Sequence, residues 1–238
     1  MKGQSAGYFT AILHLAPSRM SGYNVCPMAT EGCAASCLNT AGRGGMFAGE
    51  KTKDLTGSEI VTLIKSGKLH NVIQAARIRK TRQFFNDRAN FMDTLAAEIA
   101  AFVKKAHKKG YTPAIRLNGT SDIRWEGLTV QGHRNLMAMF PDVQFYDYTK
   151  IANRRNLPKN YDLTFSLAES NMEDAITALI QGMNVAAVFR TANLPRTYLG
   201  RHVVNGDETD LRFLDPRGVV VGLKAKGKAK KDTTGFVK

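Results

Sequence analysis

DVQFYDYTKIANRRNLPKNYDLTFSLA, residues 142–168, holds two short apolar runs, DVQFYDY (142–148) and YDLTFSLA (161–168), separated by a basic stretch. Each run has strand length and is rich in aromatic and β-branched residues. The stretch between them reads as a short basic helix near 150–156. Short apolar strands separated by helices argue for βαβ units and a parallel sheet.

The same beat continues on both sides. TPAIRLNG (112–119) reads as a strand followed by a helix near 129–139. A helix over 171–182 leads to the strand NVAAVFR (184–190), and HVVNGDETDLRF and GVVVGLKAKG read as two more strands joined by the turn DPRG (215–218). Towards the amino terminus, residues 70–109 carry apolar side chains at helical spacing. Phe84, Phe91, Leu95, Ile99, Phe102 and Val103 form one stripe, and Gly110 is the expected stop. GSEIVTLIKS (57–66) reads as a short helix capped by Ser58, and YFTAILHL (8–15) as the first strand. Five or six units of this kind predict an α/β fold with a full or partial (β/α) barrel. The expected organisation is one domain over 1–223, with a cysteine loop at 16–46 and a basic tail at 224–238.

The chain has 238 residues, 43% of them hydrophobic, which suffices for a sizeable core. No run approaches the roughly 18 apolar residues of a membrane span. YFTAILHLA lacks a convincing cleavage site after it and reads as a strand rather than a signal peptide. The expected location is a cytoplasm, with no membrane partner.

NVCPMATEGCAASCLNTAGRGG, residues 24–45, contains all three cysteines of the chain, Cys26, Cys33 and Cys37. A disulfide scaffold uses an even number of dispersed cysteines, so metal binding or catalysis is the better class. Soft thiolates select zinc, copper(I) or iron–sulfur clusters. Structural zinc takes four protein ligands, often in C-x2-C pairs, and no such pair is present; His14 is the nearest histidine. A [4Fe–4S] cluster held by three cysteines leaves one iron without a cysteine ligand, free for a small molecule or capped by a side chain such as Glu31.

In parallel α/β folds the site lies at the carboxyl ends of the strands. The first strand runs into the cysteines. The others end in Asn118, Gly119, Thr120, Ser121 and Asp122; in Tyr148, Thr149 and Lys150; in Ser166, Glu169 and Ser170; in Arg190 and Thr191; and in Lys224 and Lys226. From this set Asn118, Ser121, Asp122, Tyr148, Lys150, Ser166, Arg190, Lys224 and Lys226 are the candidate cofactor-binding residues, beside Cys26, Cys33 and Cys37 as metal ligands. Asp122 and Arg190 would hold the amine and carboxylate of an amino-acid-like ligand, and Lys224 and Lys226 a phosphate or the charge of the cluster.

Three cysteines after the first strand of a barrel resemble the radical S-adenosylmethionine (SAM) superfamily, although C-x6-C-x3-C here differs from the usual C-x3-C-x2-C. The resemblance implies a [4Fe–4S] cluster whose fourth iron chelates SAM. A closer resemblance covers most of the chain. CPMATEGCAASCLNTAGRG, RLNGTSDIRWE, FYDYTK and DLRFLDPRGVVVGLKAKGKA…DTTGFV are similar to a bacteriophage family known as gene product eighty-eight. It implies phage origin and expression in a host cytoplasm, and names no reaction.

Two further readings stand beside the cluster. The formal charge is +14, and the six lysines and one aspartate from residue 224 onwards account for +5 of it. RIRKTR (77–82), KKAHKK (104–109) and KAKGKAKK (224–231) are either solvated faces or phosphate contacts of a nucleic-acid-binding protein with a small zinc-stabilised loop. A cysteine hydrolase would need one of His14, His70, His107, His133 or His202 as base. Trp125, beside Glu126, is expected in the core or as a lid.

Overall fold

The computed structural model describes residues 3–40, 42–45, 48–49, 59, 62–63, 65–66, 68–154, 156–191 and 193–238. Its centre is an eight-stranded sheet. In chain order its strands are β1 (Tyr8–Ile12), β4 (Thr112–Arg116), β5 (Gln144–Thr149), β6 (Tyr161–Ser166), β7 (Asn184–Phe189), β8 (Thr197–Tyr198), β9 (Arg201–Asn205) and β10 (Val220–Lys224). The pair β2 (Ala48–Gly49) and β3 (Leu69–His70) forms a separate antiparallel ribbon. Across the main sheet the order is β1, β4, β5, β6, β7, β10, β9, β8. Every neighbouring pair is parallel except the hairpin of β8 and β9 at one edge.

The fold is therefore mixed α/β with a mostly parallel sheet. Among the described residues β1 pairs only with β4, and β8 only with β9, so the ladder is open and no barrel closes through it. The edge hairpin supplies a physical reason. Leu199 and Gly200 both take positive φ, 51° and 71°, which folds β8 back on β9 and ends the parallel run.

The helices are α1 (Glu31–Ala35), α2 (Val72–Asn86), α3 (Arg88–Lys108), α4 (Leu136–Met139) and α5 (Met172–Ile180). The helix expected over 70–109 is two, because Asp87 breaks it. That residue ends α2 and caps α3, accepting from Asn90 N. The stripe lands where expected: Phe84, Phe91, Leu95 and Ile99 pack with Ile115, Leu117, Phe145 and Leu163 from the sheet. Trp125 is fully buried against Phe84, rings 5.5 Å apart, so it belongs to the core and is no lid. Truncating such a ring to alanine costs about 3–5 kcal/mol.

Two expected helices do not form as drawn. Between β5 and β6 the chain is irregular rather than helical around 150–154. Asn153 and Asn156 sit at positive φ, and Arg154 turns inward to a two-pronged ion pair with Glu126. Near 129–139 a turn at Gln131–Gly132, also at positive φ, leaves only the four residues of α4. Of the helix expected at 57–66, Glu59, Thr62, Leu63 and Lys65 are helical, while Ser58 lies outside the described residues.

The last two strands are parallel, so DPRG does not close a hairpin. Their crossover instead lays Leu211 and Phe213 on the second face of the sheet, against Ala114, Tyr146 and Tyr8. Residues after 224 are folded as well. Ala225, Ala229, Phe236 and Val237 pack with Ala168, and Val237 bridges Val188 in parallel beside β7, beyond the point where β6 stops.

Asp147, on β5, is fully buried. It accepts Asn118 N at 2.6 Å and the Tyr161 hydroxyl at 2.8 Å. Burial pushes its carboxyl up to about 7, against the pull of Arg116 and of those two donors. Between about pH 4 and pH 7 the folded state then binds more protons than the unfolded chain, so stability falls as pH rises through that window and levels off above it. Urea unfolding at a series of pH values should show this slope, and Asp147→Asn should flatten it.

Candidate functional site

Side chains alternate along a strand, so residues of one parity share one face. On the second face, Arg116, Tyr148, Ser166, Val188 and Leu223 come from five adjacent strands and line one cavity of about 310 Å³. The row climbs along the strands: Tyr148 pairs with Thr164 and Ser166 with Ala186, so each new member stands two residues beyond its neighbour's partner, until Leu223 pairs directly with Val188. Such a stagger accompanies strand tilt in a coiling sheet. The site lies at the carboxyl ends of the strands, and Cys26, Cys33 and Cys37 line the same cavity.

The cysteine-bearing segment is held from three sides. From α2, Thr81 Oγ1 accepts Ala16 N, Arg82 Nε donates to Ser21 O, and Arg77 donates to Asn39 O (2.8 Å) and Oδ1 (2.6 Å). Gln74 adds bonds to Asn39 and Gly44. After β6, Glu169 accepts Gly32 N and the Thr30 hydroxyl, both at 2.7 Å, while Thr30 Oγ1 caps α1 by accepting Cys33 N. Burial works to raise the Glu169 carboxyl, but bonds from its own N–H, from Gly32 N–H and from Thr30 outweigh it and hold it below the usual range. The third side is the carboxyl-terminal strap. A Cβ on Gly32 would stand 2.1 Å from Thr234 Oγ1 and 2.6 Å from Phe236 Cβ, so only glycine fits there.

The thiols differ in surroundings. Cys26 Sγ accepts Ser18 N at 3.4 Å and donates to Thr120 O at 3.7 Å. Burial pushes its thiol up to about 12; the Ser18 N–H opposes this, and the neighbouring thiols Cys37 and Cys33 add to it. Burial raises Cys37 as well, opposed by the Asn39 N–H, reinforced by Cys33, and relieved by Lys150 and Arg77. Among the described residues no group of three His, Cys, Asp or Glu side chains stands ready to hold a metal ion. Burial, with Arg77 and Arg116, lowers His14 to about 4, and it does not line the cavity. Glu31 does not line it either. No histidine among the described side chains does, so a base for a cysteine nucleophile is not brought there.

Asn118, Ser121, Asp122 and Tyr148 line the cavity as expected from their strand ends, and so do Lys150, Ser166, Lys224 and Lys226. Several are already committed. Asn118 Oδ1 accepts from Ser121 Oγ, Ile123 N and Trp125 Nε1, which shapes the loop after β4. Asp122 accepts Thr149 Oγ1 and Lys150 N, with Arg154 at 3.9 Å, and so ties that loop to the end of β5. Lys226 pairs with Asp207 at 2.5 Å. Arg190 does not line the cavity: its guanidinium donates to Lys230 O and Asp232 O and fastens the strap. The amine-and-carboxylate pair expected of Asp122 and Arg190 is therefore not assembled.

Over residues 1–238 the sequence matches the family described as Gene product 88. The chain belongs to that family. No curated protein and no solved structure matches it. The Gene product 88 match spans the cysteine segment, all strands of the sheet and the strap. No helix among the described residues is long and apolar enough to cross a membrane.

Arg116, Val188, Leu223 and Phe236 line the cavity without having been read from the sequence. The first three lie inside strands rather than after them, and counting parity back from the strand end would have found them. Of the basic clusters, RIRKTR is partly spent on structure, with Arg77 and Thr81 buried, whereas KKAHKK is exposed except for Ala106 and leads into the amino-terminal end of β4, away from the cavity rim.

Glu169 makes a test of how the thiols are held. Glu169→Ala should speed alkylation of Cys33 and Cys37 by iodoacetamide several-fold, read by peptide mass spectrometry, while Cys26 changes little. An unchanged rate at all three would contradict the anchoring role.

Proposed function

We propose that this Gene product 88 chain is an iron–sulfur protein in which Cys26, Cys33 and Cys37 hold a [4Fe–4S] cluster, with one iron free of cysteine ligation and turned to the cavity. The observation that carries the reading is that the three thiols line one cavity at the carboxyl ends of parallel strands, together with Lys150, Lys224 and Lys226. The donor set fits. Three soft sulfurs without a histidine beside them suit iron–sulfur chemistry better than the closed four-ligand site of structural zinc. The Ser18 N–H directed at Cys26 Sγ is the kind of hydrogen bond that tunes cluster sulfurs. Lysines near the thiols would offset the negative charge of a thiolate-bound cluster, and Lys150 already acts on Cys37 in that sense.

When bound, such a cluster supplies one-electron chemistry and an open Lewis-acid position. The chain's own part is distinct. Glu169 and α2 hold the segment that carries the thiols, Phe236 and Leu38 line the cavity with apolar surface, and the strand-end row offers a ligand both charge and apolar contact.

Anaerobic reconstitution with iron and sulfide should give a brown protein with four irons and four sulfides per chain. Cys33→Ala should lose most of the colour and iron. A colourless wild-type chain carrying one zinc, or full iron retained by Cys33→Ala, would overturn the reading. Addition of SAM to the reduced, reconstituted protein, followed by electron paramagnetic resonance, then reads whether SAM reaches the open position.

A further inference from the structure

Four cations line the cavity: Arg116, Lys150, Lys224 and Lys226. Lys226 is paired with Asp207, and Arg154, behind the wall, with Glu126. Arg116 differs. Its Nε is buried without a hydrogen-bond partner, and no carboxylate lies within ion-pair distance of its guanidinium among the described residues. The guanidinium lies over the Tyr148 ring, 4.7 Å from its centre, a contact that leaves its N–H donors unused. Lys150 reaches the same cavity with only the Ser166 hydroxyl at 3.2 Å and the face of Phe236 at 5.6 Å. A planar guanidinium with no carboxylate partner, on the same cavity as an ammonium held by one hydroxyl, offers the donors that recognition of an oxyanion requires.

The remaining walls say what carries the oxyanion. Val188, Leu223 and Phe236 give the cavity an apolar side. Two carboxylates also line it: Asp207, which is paired with Lys226, and the exposed Asp210, next to the Leu211 that packs on Ala114 and Tyr146. We propose that Arg116 and Lys150 form an oxyanion subsite, and that the cavity takes a small organic acid or phosphate ester whose apolar part lies against Val188, Leu223 and Phe236. Such a ligand has its charged end anchored on the β4–β5 side of the cavity whose lining includes the three thiols. The inference rests on the cavity being a ligand site, and it holds whether or not the thiols carry a cluster.

Isothermal titration of the full chain, metal-free and reduced, tests it with hexanoate, hexyl phosphate and hexanol. Binding of hexanoate or hexyl phosphate at least tenfold tighter than hexanol is expected, and the tighter of the two anions identifies carboxylate or phosphate as the head group. Arg116→Ala should weaken that anion tenfold or more, Arg116→Lys less, and the surface variant Lys104→Ala not at all. If Arg116→Ala fails to fold, Lys150→Ala and Arg116→Lys report the same loss in smaller measure. Equal binding of hexanol, an unchanged affinity in all the cavity variants, or no binding of either anion would overturn the subsite. Repeating the titration on the reconstituted protein separates the two claims: oxyanion binding without any iron uptake would sink the cluster and leave the subsite standing.

Discussion

The two-residue period of a β-strand governs this molecule. Five neighbouring strands run parallel, so their carboxyl ends meet at one side, and the pleat then sends one residue of fixed parity from each strand to the same face. Arg116, Tyr148, Ser166, Val188 and Leu223 are that set. Nothing about these residues is unusual taken one at a time. Their common placement follows from parallel pairing and register, and a one-residue slip in any strand would turn its member into the helix-covered core.

The cysteine segment depends on that frame. It has little regular structure, so its place is set by partners outside it: the inward face of α2 at Arg77, Gln74 and Thr81, the carboxylate of Glu169 after β6, and the strap that packs on Gly32. These are buried or charge-assisted bonds, and leaving one partner of such a bond unsatisfied costs more than the bond itself contributes. Two arginines expected elsewhere serve this purpose, Arg77 from a cluster read as a solvated face or a phosphate contact and Arg190 read as a ligand-binding residue. Arg77 is a clamp, and Arg190 fastens the strap whose Phe236 lines the cavity.

Strand positions were legible because apolar runs of strand length are a strong local signal: six of them reappear as β1, β4, β5, β6, β7 and β10, and HVVNGDETDLRF reappears in its first four residues, within β9. The parallel arrangement was legible from their spacing. What lay between them was less so. Residues 150–156 have helical composition, yet the inward ion pair of Arg154 with Glu126 and the left-handed Asn153 and Asn156 prevail over that local preference. Barrel closure was not legible, because it depends on how β8 and β9 meet at the edge. The rim was legible at Tyr148, Lys150 and Ser166, but Arg116 was hidden by lying within its strand, and Arg190 was misplaced because its backbone-carbonyl partners come from the far end of the chain.

Native mass spectrometry of the anaerobically purified chain tests the central claim most directly, since it weighs what the three thiols hold without reconstitution. The account predicts an intact chain heavier by four irons and four sulfides, reduced to the bare mass when Cys26, Cys33 and Cys37 are replaced together. A wild-type chain at its bare mass, or heavier by a single zinc ion, would contradict it.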